Sequence, residues 1–239
     1  MGKIGYGYGS EWHLLRYLGY HRKVLSETVI DLIYPGEDKK VEWLDFKFSG
    51  NNEPFKQDQE LEGLEFLSGK QDVMDKWKTF WPQSGTSQNW DAVGWIAPGE
   101  NEELLLVEAK AYLGETRSSC GASEESKEII LAALEKTRKE LGGNQPIENW
   151  LNQYYQYANR LAVLYFFMKE SKPSINCHML FINFYGDKRP NNIKCPQGKE
   201  EWEDYRERIH TSLGIDENSK LMKRVHHLLL PVHPKVDKK

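Results

Sequence analysis

Three residues stand in a pattern suited to holding a metal ion and positioning water: Asp91, Glu108 and Lys110. Side chains on a strand alternate between faces, so Glu108 and Lys110, two residues apart, point to the same side. Asp91 precedes Glu108 by 16 intervening residues and falls on the neighbouring strand of an expected hairpin, sharing a face there with Val93 and Trp95. A carboxylate from each of two paired strands can thus converge with an ammonium beside them. Hard oxygen ligands of this kind suit Mg²⁺ or Mn²⁺, which also keep several waters. Lysine is a compact cation able to orient, or help deprotonate, a metal-bound water, while the metal polarises a phosphate. The side chain of Ala109 points to the opposite side, but its carbonyl can face the same site. An isolated Glu-x-Lys is usually a solvated ion pair. Here residues 104–107 read Leu-Leu-Leu-Val, apolar on both parities, as a strand covered on both faces does. A charged pair ending such a strand needs a partner.

Local patterning predicts the secondary structure around these residues. Residues 89–97 and 103–109 read as two strands, joined by a turn at 98–101 (Pro-Gly-Glu-Asn). Before them, Ser10 can cap a helix over 10–20, residues 41–48 alternate as a strand, and 71–81 suit an amphipathic helix stopped before Pro82. The acidic, loop-like stretch from 50 to 65 belongs to a peripheral insertion around 50–85. After them, Ser123 caps a helix ended by Gly142 and Gly143, and Pro146 opens a longer helix to about residue 170. A strand at 176–185, a charged helix at 199–213 and a strand at 225–232 complete the order. Strands alternating with helices favour one α/β domain over 1–239, a three-layer α/β/α arrangement around a mixed sheet.

Asn89-Trp90-Asp91, followed by Glu108-Ala109-Lys110 at the end of an apolar strand, resembles the PD-(D/E)XK signature of the restriction-endonuclease-like nucleases. The proline of that signature is not matched. The resemblance covers about residues 10–185, with specific residues only between 89 and 110. It implies a core of helix, three-stranded meander, helix and strand, and Mg²⁺- or Mn²⁺-dependent hydrolysis of phosphodiester bonds in nucleic acid, DNA before RNA. It implies Asp91, Glu108 and the Ala109 carbonyl as metal ligands and Lys110 as the residue that positions water. Family members often carry a glutamate on the first core helix. Glu11 stands at that place, with Leu15 and Leu18 on its face, and is a candidate for the metal shell. Gln153 and Tyr157 match the QxxxY pattern of RecB-like and lambda-exonuclease-like members and are expected to support the site. Gln153, Gln156, Tyr157 and Arg160 share a helical stripe, from which Gln and Arg can steady a phosphate or a catalytic carboxylate.

Other features point elsewhere or to structure alone. The net charge of −4 counts against a passive nucleic-acid coat, though local fields matter more than totals. Three cysteines without a CxxC spacing support neither a disulfide framework nor a zinc site, which suits a reducing cytoplasm. No apolar run is long enough to span a membrane, and the N-terminus lacks the apolar stretch of a secretory signal. His226 and His227, adjacent on a strand, point to opposite faces and read as structural, as does His233. Trp77, Trp81, Trp90 and Trp95 read as core. Arg117 reads as a loop arginine within reach of phosphate, and Cys120 has no histidine nearby in sequence. Two rival readings remain: a non-catalytic nucleic-acid- or protein-binding module with a nuclease-like fold, and an α/β enzyme using Glu108 and Lys110 for acid–base work without metal. A homodimer is left open, as dimers are common among such nucleases.

Overall fold

The computed structural model describes residues 7–44, 60–67, 69–85, 87–98, 102–171 and 174–234. In chain order its elements are α1 (Ser10–Tyr20), α2 (Arg22–Ile33), β1 (Lys40–Trp43), β2 (Leu61–Glu62), α3 (Gln71–Phe80), β3 (Asn89–Trp90), β4 (Ala92–Ala97), β5 (Glu103–Lys110), α4 (Glu124–Glu140), α5 (Ile147–Asn152), α6 (Tyr155–Tyr165), β6 (Cys177–Tyr185), α7 (Lys199–Leu213) and β7 (Val225–Pro231). The fold is mixed α/β. Five strands form one sheet in the order β1-β4-β5-β6-β7, and β2 pairs with β3 apart from it. β1, β4 and β5 run antiparallel in turn, while β5, β6 and β7 run parallel.

The Leu-Leu-Leu-Val run occupies the middle of this sheet, and all four side chains are fully buried. Leu104 and Leu106 pack with apolar residues of α3, α4, α5, α6 and α7, whereas Leu105, Val107 and Ala109 pack with α1 and α2. Strand alternation thus divides one apolar run between two helical layers. Residues 61–80, expected to be peripheral, contribute Leu61, Leu64, Leu67, Val73 and Trp77 to the first of these cores. No helix among the described residues is long and apolar enough to cross a membrane.

Several local expectations change. Ser10 does not cap α1. The cap position is Gly9, with φ 96°, and its N–H donates to Asp187 Oδ2 at 3.0 Å. α2 was not expected, although its buried Leu25, Val29 and Ile30 stand at helical spacing. Ser123 caps α4 as expected, its hydroxyl accepting from Ser126 N. The helix expected from Pro146 to about residue 170 is broken. Ser118 bridges to Tyr154, its N–H donating to the Gln153 carbonyl at 3.0 Å and its own carbonyl accepting from Tyr155 N at 3.2 Å. These bonds replace helical ones and end α5 before α6 begins. Phe166–Glu170 then continues α6 as a π-type turn. The strand expected over 41–48 ends at Trp43, and positions 45–48 lie outside the described residues, as does most of the turn at 98–101.

A polar cluster closes the end of the sheet where β5 and β6 begin. Glu103 accepts from the Tyr34 hydroxyl, from Lys39 Nζ at 3.2 Å and from Arg224 Nη1 at 2.6 Å, and it meets His178 Nε2 at 3.1 Å. His178 Nδ1 in turn meets His226 Nε2 at 2.9 Å. Burial, reinforced by Arg224, lowers His178 to about 4, and burial with His178 lowers His226 to about 4. Burial opposes the Glu103 charge, but Tyr34, Arg224, Lys39 and His178 outweigh it and hold that carboxyl at about 2. An unfolded histidine takes a proton near 6.5, whereas these two resist it until about pH 4. Stability therefore falls as pH drops from 6.5 to 4, by about 3 kcal/mol from His178 alone. The Glu103 contribution disappears lower still, as pH falls from the ordinary glutamate range toward 2. Urea midpoints at pH 7 and pH 4.5 measure the histidine contribution, and equal midpoints would refute it.

Candidate active site

β5 carries Glu108 and Lys110 on the face covered by α6. Glu108 is buried and Lys110 half-buried. Asp91 occupies the one-residue gap between β3 and β4, and its Oδ2 accepts from the Ala109 N–H at 2.6 Å. The carboxylate takes over a backbone donor at the point where the expected strand 89–97 divides. Trp90, fully buried, fixes the approach to that gap by donating from Nε1 to the Gly63 carbonyl at 2.8 Å.

Arg160 of α6 completes the constellation. Its Nε and Nη2 both lie 2.8 Å from Glu108 Oε2. Nη2 also donates to the Asn89 carbonyl at 2.6 Å, and Nη1 to Asn159 Oδ1 at 2.8 Å. The guanidinium lies 4.7 Å from the Trp90 ring centroid, a cation–π contact. The other oxygen of Glu108, Oε1, accepts from Lys110 Nζ. Asp91, Glu108, Lys110 and Arg160 line a common cleft of about 540 Å³.

The charges are unevenly compensated. Burial opposes ionisation of Glu108, but Arg160 and Lys110 prevail and hold its pKa below the ordinary value. Burial, followed by repulsion from Glu108, pushes the Asp91 carboxyl well above its ordinary range, with Lys110 and the Ala109 N–H only partly opposing this. Burial disfavours the Lys110 charge, yet Glu108 and Asp91 raise its pKa, so it stays an ammonium and a donor.

The remaining expected residues are dispersed. Glu11 is exposed on α1, which packs on the opposite face of the sheet from Glu108, and Leu15 beside it is 45% exposed. The buried face of α1 is instead His13, Leu14, Tyr17 and Leu18, so Glu11 is not brought to Asp91. Gln153 falls in the break between α5 and α6, exposed, bonded to Asn149 and Ser212. Because the helix breaks there, the stripe it was to share with Gln156 and Arg160 loses its first member. Tyr157 is buried, with its ring 4.4 Å from that of Phe181 and its hydroxyl 2.7 Å from His210 Nε2. A narrow, largely apolar cavity separates it from Glu108 and Lys110, which also line that cavity. Burial raises the Tyr157 hydroxyl well above its ordinary pKa. Ala109 contributes its N–H to the site, and its side chain lies in the opposite core. Arg117 bonds to Tyr205. His226 and His227 do face opposite ways, toward His178 and Tyr157 respectively.

Arg160 was legible only as part of the stripe. The signal that singles it out is a lone arginine in the run Ala158 to Val163, which is otherwise small or apolar apart from Asn159. A cation so placed must meet an anion.

No known protein family, curated protein or solved structure matches the chain. Among the described residues no three His, Cys, Asp or Glu side chains stand together in a metal-holding arrangement. Two carboxylates with the rest of the shell left to water or substrate is nevertheless a donor set typical of Mg²⁺. The undercompensated Asp91 carboxyl is the group that a divalent cation would satisfy.

Proposed function

We propose that this protein is a metal-dependent nuclease of the restriction-endonuclease-like kind, cleaving phosphodiester bonds in nucleic acid, DNA before RNA. The observation that carries the reading is the convergence of Asp91, Glu108 and Lys110 on one face of the sheet, in one cleft. The order of α1, the antiparallel β1-β4-β5 set, a helical segment and the parallel β6 supports the same fold.

A bound Mg²⁺ or Mn²⁺ would polarise the phosphate and acidify a water. Glu108 and Asp91 would supply oxygen ligands to the ion. The Ala109 N–H fixes Asp91 Oδ2 and leaves Oδ1 for a ligand. Arg160 holds Glu108 against α6 and keeps it ionised. Lys110, held as an ammonium, donates to the attacking water or to the phosphate oxygens as negative charge develops there. In this state it is a positioning group and not a base.

Incubating the protein with single- and double-stranded DNA and RNA, with Mn²⁺ or Mg²⁺ and with chelator, tests the reading directly. Metal-dependent cleavage of at least one substrate is expected. Lys110→Ala should lose cleavage while keeping the Mn²⁺-dependent rise in melting temperature, because it removes no ligand. Wild-type activity in that variant would contradict the mechanism. One observation favours the rival binding module: both oxygens of Glu108 are already paired with cations. Absence of both cleavage and a Mn²⁺ shift would select it.

A further inference from the structure

Gln88 is only 5% exposed, and neither its amide nitrogen nor its amide oxygen has a hydrogen-bond partner. Its side chain lines the cleft that holds Asp91 and Glu108. Burying an unpaired carboxamide is costly, so the group calls for a ligand that enters the cleft. Its backbone is pinned: the Gln88 carbonyl accepts from Gly63 N at 2.7 Å, and Gly63 in turn receives the Trp90 indole. The side chain is therefore presented from a backbone held at the entry to β3. Asn89 Oδ1, next to it and also lining the cleft, is buried and unpaired as well.

The chemistry of the cleft decides what that ligand is. Among the described residues lining it, the two cations are Lys110 and Arg160, and both are engaged by Glu108. Besides Glu60, Asp91 and Glu108, the rest of the lining is carboxamides, the hydroxyls of Ser87 and Ser118, and the aromatic residues Trp81 and Tyr155. Such a lining suits a flat, uncharged, hydrogen-bonding ring better than a second phosphate. A carboxamide offers one donor and one acceptor side by side, the pattern that matches a nucleobase edge. A base stacked within a duplex cannot enter a recess, so the base must be unstacked. Gln88 lies three residues from Asp91, at most about 10 Å along the chain, which places the base beside the reacting phosphate.

We propose that Gln88 is the base-reading group of this cleft, its now solvent-free amide turning toward the edge of an unpaired nucleobase and bonding to it through both amide atoms, so that the substrate is single-stranded or locally frayed nucleic acid. The proposal rests on the nuclease reading for the identity of the ligand. It adds a specificity-determining residue and the strand state of the substrate.

The test uses fluorescent single-stranded DNA oligonucleotides with ordinary or abasic nucleotides at the central positions, and the matching duplex. Binding to the full chain is read by anisotropy with Ca²⁺ in place of Mg²⁺. Cleavage of the same strands is read with Mn²⁺. Wild type should bind the ordinary strand about ten-fold more tightly than the abasic strand or the duplex, one bidentate contact's worth of discrimination. Gln88→Leu and Gln88→Glu should both erase that difference while retaining the Mn²⁺-dependent thermal shift. Gln88→Leu, which removes the unpaired amide, should melt no lower than wild type without nucleic acid, where a merely structural glutamine would give a lower value. Equal wild-type affinity for ordinary and abasic strands, or unchanged discrimination in both variants, overturns the proposal. Discriminating binding without metal-dependent cleavage would instead overturn the nuclease reading and leave Gln88 as a base-binding residue.

Discussion

Asp91→Asn should reduce metal-dependent cleavage by ~1,000-fold or more while leaving the metal-free protein as stable as wild type or more so. The two effects separate because of how this carboxyl is held. Burial and the neighbouring Glu108 both oppose its charge in the metal-free protein. Asparagine is isosteric and neutral, and its side-chain oxygen can still accept from Ala109 N–H, the bond that Oδ2 accepts now. The substitution thus removes repulsion without leaving a donor orphaned. It also removes a charged ligand, and with it the electrostatic stabilisation of the transition state, for which losses of two to three orders of magnitude are usual even for one neutral donor. A parallel measurement separates ligand loss from general damage. At a Mn²⁺ concentration about 100 times its dissociation constant, wild type should gain about 2.7 kcal/mol, whereas the variant should gain little. A variant several kcal/mol less stable without metal, or one cleaving at the wild-type rate, would show that Asp91 serves the fold and not a metal.

Arg160→Met should produce the largest loss of stability of any single change at this site, about 3–5 kcal/mol. Glu108 and Arg160 are both nearly solvent-free, and the guanidinium supplies two contacts to one carboxylate oxygen plus bonds to the Asn89 carbonyl and Asn159. Removing it leaves a buried carboxylate with Lys110 alone and orphans two oxygens. Methionine keeps much of the volume, so the loss measures the charge and not a cavity. Glu108 should protonate more readily in the variant, because its depressed pKa depends first on Arg160 among the cations. Adding Glu108→Gln should recover part of the loss, since the double variant no longer buries an uncompensated charge. Chemical denaturation of the four proteins in chelator closes the cycle. Additive effects, or a loss below about 1 kcal/mol for Arg160→Met, would mean that the pair is not the buried anchor described above.

Those two expectations concern neighbours with opposite characters. Glu108 is stabilised by the protein itself, and Asp91 is not. That asymmetry gives the metal-free site one carboxylate already balanced by cations and one whose charge the protein leaves undercompensated. It also explains why Lys110, attracted by both, is held as a cation and not tuned toward basicity.

The amino-acid sequence determined the parts of this protein that depend on short-range alternation. Leu-Leu-Leu-Val at 104–107 implied a central strand, and parity alone put Glu108 and Lys110 on one face. Ser123 announced the start of α4 through a local side-chain bond. The rest depends on contacts between segments far apart in the chain, which no local pattern encodes. Gly9, its N–H held by the distant Asp187, takes the cap position in place of Ser10. Ser118 broke the long helix and so removed Gln153 from the stripe that kept Gln156 and Arg160. The amphipathic face of α1 turned Glu11 outward, since His13, Leu14, Tyr17 and Leu18 bury more apolar surface against the sheet. Arg160 and Gln88 are the clearest cases. In sequence Arg160 stands out only as a cation in a mostly apolar run and Gln88 not at all, and only packing makes one a buried counter-ion and the other an unpaired amide in the lining of the cleft.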